Sequence, residues 1–321
     1  MPIVAEILSL MNEKEADSDY ARPGEAPVSI SDARRFHEAD IVSFAPLDSR
    51  DAVGSVEAVS FSGPLGEISA RLYRPLNAAN PATLVWFHGG GWVTGSLDTA
   101  DAVVRALCAR AGIAVLSVDY ALAPEQFWPA AVHDARAALL WAASHRDQLG
   151  GEGSILVGGD SAGGNLAAVL ANTETDVVEG QVLLYPVVDL DIATTAYPSR
   201  VTNGVGCFVA WADIEWAIRE YAPDFTRAGD PLLSPIRAAN FAGVAPAIIA
   251  AAEYDPLRDE NRAYAKALEL HGVEVNYFEF AGLVHGGFDM MQPVPAVNVA
   301  MSDIAEALRV LVAQLGDEHS G

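Results

Sequence analysis

The chain has 321 residues, 51% of them hydrophobic, and 43 acidic against 19 basic residues give it a formal net charge of −24. That length and apolar content can build a substantial core, as one large α/β domain with an insertion or as two small domains, and they exclude a disordered chain. The acidic excess excludes a nucleic-acid partner, which needs basic surface, and disfavours anionic membranes and polyanionic substrates. Lysine occurs only at Lys14 and Lys266. Such a surface fits either adaptation to salt or drift in an alanine- and arginine-rich genome, and both readings stay open. No apolar run is long enough to cross a bilayer. Met1-Pro2-Ile3-Val4-Ala5-Glu6 lacks the basic start and cleavage site of a signal peptide, so the expectation is a cytoplasmic protein. Cys108 and Cys207 belong to no disulfide framework or metal-ligand spacing.

Ile3, Ile7, Leu8 and Met11 predict a short amphipathic helix, and Ser31 is expected to cap a second over Ala33 to Ala39. Val56–Phe61 and Glu67–Tyr73 alternate in the strand manner around Gly63-Pro64, predicting an antiparallel hairpin. Strands then alternate with helices. The strands are Thr83–Phe87, Ile113–Val118, Ile155–Val157, Gln181–Tyr185, Ala247–Ala252 and Glu274–Phe280. The helices are Asp101–Arg110, Ala130–His145, Leu166–Ala171, Glu260–His271 and Val297–Leu315. Apolar strands in this rhythm imply an α/β fold with a mostly parallel sheet covered on both faces. From Val187 to about Asn240 the rhythm stops. That stretch is too long for a simple connection and reads as a helical insertion over the sheet. Its aromatics Phe208, Trp211, Trp216, Tyr221 and Phe225 could line an apolar substrate pocket, against the alternative of plain packing, and Phe208 and Trp211, with Trp92, are the named candidates.

Four segments carry chemistry. Gly158-Gly159-Asp160-Ser161-Ala162-Gly163-Gly164 sits between a buried strand and a helix, the geometry of a nucleophile elbow rather than of a Gly/Ser-rich loop. Side chains at Gly159 and Gly163 would collide with the adjoining elements. The helix that follows aims N–H groups at negative charge forming near Ser161. His88-Gly89-Gly90-Gly91-Trp92 follows a strand and lets backbone N–H groups bind an oxyanion, with His88 ordering the loop rather than acting as base. Asp255 ends a late strand, where active-site residues gather in open α/β sheets. Asp189, Asp191, Glu253, Asp259 and Glu260 are its rivals. His285 follows the last strand and completes the chain order Ser, Asp, His. His37, His133, His145, His271 and His319 occupy positions that suit solvated or dipole-compensating histidines.

These segments, with Asp119-Tyr120-Ala121-Leu122-Ala123-Pro124-Glu125 and Asp255-Pro256-Leu257-Arg258-Asp259-Glu260, resemble the bacterial hormone-sensitive lipase family (family IV) of esterases in the α/β-hydrolase superfamily. The resemblance spans Thr83 to Phe288. It implies an α/β-hydrolase fold with a helical cap, a Ser161, Asp255, His285 triad and an oxyanion hole of the Gly89, Gly90 and Ala162 N–H groups. It assigns residues 1–50 and 187–240 to the cap and residues 51–186 and 241–321 to the catalytic domain, and it implies a homodimer and no metal or organic cofactor. Two departures stand out. Ala121 replaces the family's usual arginine, so a local salt bridge is expected to be missing. Gly286-Gly287 precede Phe288 where one glycine is usual, which is expected to loosen the His285 loop.

The implied activity is hydrolysis of short- to medium-chain acyl esters through an acyl-enzyme, acting on small-molecule esters. An amidase or peptidase using the same triad is the nearer alternative. A non-catalytic ligand binder is the further one, since plant gibberellin receptors resemble this family but lack the catalytic histidine.

Overall fold

In this computed structural model, residues 2–15, 24, 28–77, 82–149, 151 and 153–320 are described. The alternation around Gly63-Pro64-Leu65-Gly66 folds as a hairpin of β1 (Ser55–Gly63) and β2 (Gly66–Arg74), paired in register from Ser55–Arg74 to Gly63–Gly66. β2 then pairs antiparallel with β4 (Ala114–Asp119). The other strands are parallel: β3 (Thr83–Phe87), β5 (Ile155–Asp160), β6 (Gly180–Leu184), β7 (Ala247–Tyr254) and β8 (Val275–Val284). The eight strands form one sheet in the order β1-β2-β4-β3-β5-β6-β7-β8. β3 and β6 are buried throughout, as strands covered on both faces must be.

Among the described residues the helices are α1 (Ala5–Glu15), α2 (Ile30–Phe44), α3 (Leu97–Ala111), α4 (Ala130–Ser144), α5 (Arg146–Leu149), α6 (Ala162–Thr173), α7 (Ser199–Thr202), α8 (Trp211–Tyr221), α9 (Arg258–Leu270) and α10 (Pro295–Ser320). Successive β3 residues feed opposite layers. Val85 and Phe87 pack with α4, α6 and α9, whereas Leu84 and Trp86 pack with α1, α3 and α10.

The predicted elements are present, with shifted ends. The cap of α2 is Ser29, not Ser31: its Oγ accepts the Asp32 N–H at 3.1 Å. α3 starts at Leu97 because Ser96 and Thr99 cap it reciprocally. β7 and β8 run past Ala252 and Phe280 because they keep pairing, out to Tyr254 and Val284. Between β6 and β7 the described insertion holds α7, α8 and short 3-10 turns but no strand. No helix among the described residues is long and apolar enough to cross a membrane.

Candidate active site

β5 delivers its chain to a turn that only small neighbours permit. Ser161 has φ 52° and ψ −114°, a strained backbone for a residue with a side chain. Its N–H donates to the Leu184 carbonyl at 2.9 Å, and its carbonyl accepts from Asn165 N and Val187 N. A Cβ on Gly159 would lie 2.3 Å from the Gly163 carbonyl carbon, and one on Gly163 would lie 1.9 Å from the Phe87 oxygen. The glycines therefore let α6 start immediately after Ser161 and lie against the end of β3.

Asp255 follows β7 and His285 follows β8. The two strands are paired neighbours, so their ends bring these residues together from 30 positions apart. Ser161 Oγ lies 2.9 Å from His285 Nε2, and His285 Nδ1 lies 2.8 Å from Asp255 Oδ2. Asp255 is fully buried and His285 is 4% exposed. The second carboxylate oxygen of Asp255 accepts the Leu257 N–H at 2.6 Å, and Asn203 Nδ2 donates to its backbone carbonyl. The imidazole also packs on Tyr185, 4.6 Å between ring centres, and Tyr185 stacks on Phe288. Phe288 is buried in a 3-10 turn over Gly287–Met290, so the second glycine after His285 sits in a packed segment.

The rivals of Asp255 have other partners. Asp189 holds Arg237 and the Tyr197 hydroxyl. Glu253 accepts the Gly282 N–H, Asp259 accepts the Ser199 N–H, and Glu260 binds Arg200 and the Val188 N–H. His88 does not face the serine. Its Nδ1 lies 2.8 Å from the Gly89 carbonyl, its ring stacks on Tyr120, and burial pushes its pKa down to about 4. His88 is thus a buried, neutral imidazole bonded within its own loop.

A cavity of about 190 Å³ opens over Ser161 and His285. Its walls come from α2 (Phe36, His37), the glycine turn (Gly90, Gly91) and the insertion (Phe208, Trp216). Trp92 and Phe208 line it. Trp211 does not: its ring packs 4.3 Å from the Arg200 guanidinium, on another side of α8. Trp216, another aromatic of the insertion, lines it as well, and Phe36 and His37 reach it from α2. The two are adjacent on α2, and whether they face the site depends on what α2 packs against, which lies outside the local sequence. His37 is only partly exposed and its Nδ1 is buried, and burial lowers its pKa to about 4.

One further assignment shifts. The Gly89 N–H donates to Asp160 Oδ1 at 3.0 Å, and a Cβ on Gly89 would meet the same carboxylate. Gly89 is thus committed to bracing the turn, while Gly90 and Gly91, with φ 114° and 62°, face the cavity. Burial pushes the Asp160 carboxyl up to about 6, against the lowering effect of its backbone partners, and raises that of Asp289 well above the usual range. Among the described residues no group of three or more His, Cys, Asp or Glu could hold a metal ion.

A serine on a strand-to-helix elbow, bonded to a histidine that is bonded to a buried aspartate at the ends of neighbouring parallel strands, is the arrangement of an α/β-hydrolase. Residues 84–289 match the family described as alpha/beta hydrolase fold. The chain is 42% identical over 271 residues to the carboxylic ester hydrolase LipN of Mycobacterium tuberculosis, covering 81% of this chain and 71% of that protein. It is 39% identical to the esterase LipI of the same organism, covering 79% of this chain and 81% of that protein. The solved hyperthermophilic esterase of Pyrobaculum calidifontis superposes with a TM-score of 0.89 at 34% identity, over 97% of this chain and 99% of that one. The chain belongs to the hormone-sensitive lipase-like esterases (family IV) of the α/β-hydrolase superfamily.

Proposed function

We propose that this protein is a carboxylesterase that hydrolyses short- to medium-chain acyl esters with Ser161 as nucleophile, His285 as base and acid, and Asp255 as the group that holds His285. The observation that carries this reading is the continuous hydrogen-bonded chain from Ser161 Oγ through the imidazole to Asp255. His285 Nε2 takes the serine proton as Oγ attacks the ester carbonyl, and Asp255 keeps Nδ1 protonated and stabilises the imidazolium. The N–H groups of Gly90, Gly91 and Ala162 receive the oxyanion. Gly89 drops out of that set because its N–H already serves Asp160. Each such donor is worth about 3–4 kcal/mol of barrier. The imidazolium then protonates the leaving alcohol, and water activated by the same histidine frees the acid from Ser161.

Residues 1–50 and 187–240 form the cap over a catalytic domain of residues 51–186 and 241–321. Support comes from the cavity walls, which draw on α2 and on the insertion. A volume of about 190 Å³, small beside the roughly 300–1,000 Å³ of drug-sized ligand sites, favours short and medium acyl chains. The protein acts in the cytoplasm on small-molecule esters. It forms a homodimer, which the terminal place of β8 in the sheet favours, since no further strand among the described residues pairs with its far side.

The test is hydrolysis of p-nitrophenyl esters from acetate to palmitate, and of a matched anilide, by the wild type and Ser161→Ala. Cleavage of the short esters that the variant loses supports the reading. A folded wild type that cleaves the anilide faster than the ester makes it an amidase, and one that cleaves neither sinks the hydrolase reading.

A further inference from the structure

Ala121 leaves the loop before Glu125 without the arginine that the family resemblance led us to expect, yet Glu125 is paired. Its partner comes from 91 residues away, on α2. Arg34 Nη1 donates to Glu125 Oε1 at 2.8 Å and Nη2 to Oε2 at 2.6 Å, a two-pronged ion pair. The same guanidinium makes two further bonds. Nε donates to the Val93 carbonyl at 2.8 Å, and Nη2 donates to the Ala123 carbonyl at 3.0 Å.

The ion pair is only a small part of the effect. The Glu125 side chain is 59% exposed, and exposed pairs contribute little on their own. What Glu125 does is orient the planar fork so that its other donors meet two backbone carbonyls. Those carbonyls belong to the segments that shape the site. Val93 sits in the turn that follows Gly90 and Gly91, whose N–H groups we assign to the oxyanion. That turn holds Gly90, Gly91 and Trp92 at positive φ. It is closed internally by the Val93 and Thr94 N–H groups on the Gly90 carbonyl. Externally, the Ala123 N–H donates to the Trp92 carbonyl at 2.8 Å. Arg34 adds the bond on the next carbonyl along and ties the turn to α2. The neighbouring α2 residues Ala33, Phe36 and His37 line the cavity. One side chain thus fixes a cavity wall and the oxyanion turn to each other.

We propose that Arg34 is a positioning residue for acyl transfer, latching α2 to the Gly90–Thr94 turn so that the oxyanion donors and the substrate wall hold one geometry. This rests on the esterase reading above. Catalysis is sensitive to such placement, where a displacement of about 1 Å costs on the order of 100-fold. Lysine cannot substitute, because one ammonium group lacks the planar fork that reaches four acceptors at once.

The experiment compares wild type, Arg34→Ala, Arg34→Lys and Glu125→Gln. It reads kcat and KM on p-nitrophenyl acetate and hexanoate, inhibition by a trifluoromethyl ketone that mimics the tetrahedral intermediate, and amide hydrogen exchange of the segment 89–95. For Arg34→Ala we expect kcat to fall about 10- to 100-fold, ketone affinity to fall in step, and exchange in the 89–95 segment to quicken. Arg34→Lys should recover little. Glu125→Gln should lose less, since both carbonyl bonds can persist. A folded Arg34→Ala with wild-type kcat, ketone affinity and exchange overturns the proposal, as does a loss confined to thermal stability. If the wild type cleaves no ester, the esterase reading fails, and the exchange arm still decides whether Arg34 holds the turn.

Discussion

The Phe87 carbonyl oxygen occupies the space of the side chain that Gly163 lacks: a Cβ there would sit 1.9 Å from it. Phe87 ends β3 and Gly163 lies in the first turn of α6, so this contact sets how closely the elbow helix approaches the sheet. The obstacle is backbone and cannot swing aside. Gly163→Ala should therefore push α6 and Ser161 off their places. We expect a stability loss of roughly 1–3 kcal/mol or more, as in other overpacked cores. We expect kcat/KM on the remaining folded protein to fall by on the order of 100-fold. Urea unfolding and ester hydrolysis measure the two. A variant as stable and active as the wild type would show that the helix has room to shift.

Much of this site is legible in the sequence because its parts are local. The elbow, the glycine turn and the ends of β7 and β8 each announce themselves by a strand followed by glycine or a polar residue. What the sequence obscures is orientation across the chain. Gly89 and Gly90 look equivalent in a run of three glycines. Only the fold shows that Asp160, 71 positions on, accepts the first N–H and leaves the next two facing the cavity. Trp211 and Trp216 lie on one helix with similar character, and it took Arg200 beneath Trp211 to separate them. The pairing of Arg34 with Glu125 has no local signature at all.

Asp255 should matter through His285 rather than through folding. Asp255→Asn keeps an acceptor for the Leu257 N–H and nearly the same volume, but it no longer holds the imidazole in the tautomer that accepts the serine proton. Turnover should fall by about 10⁴, with a thermal midpoint close to that of the wild type. The rate at which an organophosphonate inactivates Ser161 should fall alongside. Inactivation at the wild-type rate would mean that another acid holds His285.

Arg200 and Glu260 join the insertion to α9. Arg200 Nε and Nη2 donate to Glu260 Oε2 at 3.0 and 2.5 Å, and the two side chains are 4% and 0% exposed. Arg200 also donates to the Asp189 and Asp191 carbonyls. Burial raises the Glu260 carboxyl to about 7 even with Arg200 beside it, so a lone Glu260 would be costly. Arg200→Met should destabilise by about 3–5 kcal/mol, since the Glu260 carboxyl left behind is buried and must either stay charged without its partner or take up a proton. Glu260→Gln in the Arg200→Met background should recover part of that loss. Denaturant unfolding of the four proteins in the cycle gives the coupling, and strictly additive losses would show that the pair acts as two independent packing residues.

Asp160 makes a prediction about pH. Its folded pKa is raised to about 6 by burial, against 3.8 for an unperturbed aspartate. Between those values the unfolded chain releases its proton while the folded protein retains it, so rising pH favours unfolding across that window and the cost is complete above it. Asp160→Asn removes the titration and keeps an oxygen for the Gly89 N–H. The stability of the variant relative to the wild type should therefore climb from pH 4 to pH 6.5 and then level off, gaining on the order of 2–3 kcal/mol. Asp289, whose carboxyl is raised by burial and by the Asp160 charge, is replaced by Asn in both proteins so that its titration drops out, and the difference then cancels the groups that Asp160 does not touch. Urea unfolding at half-unit steps from pH 4 to pH 8 resolves the curve. A difference that falls as pH rises would reverse the assignment, making Asp160 a carboxylate that the fold prefers ionised, with Gly89 and the elbow supplying the compensation that burial removes.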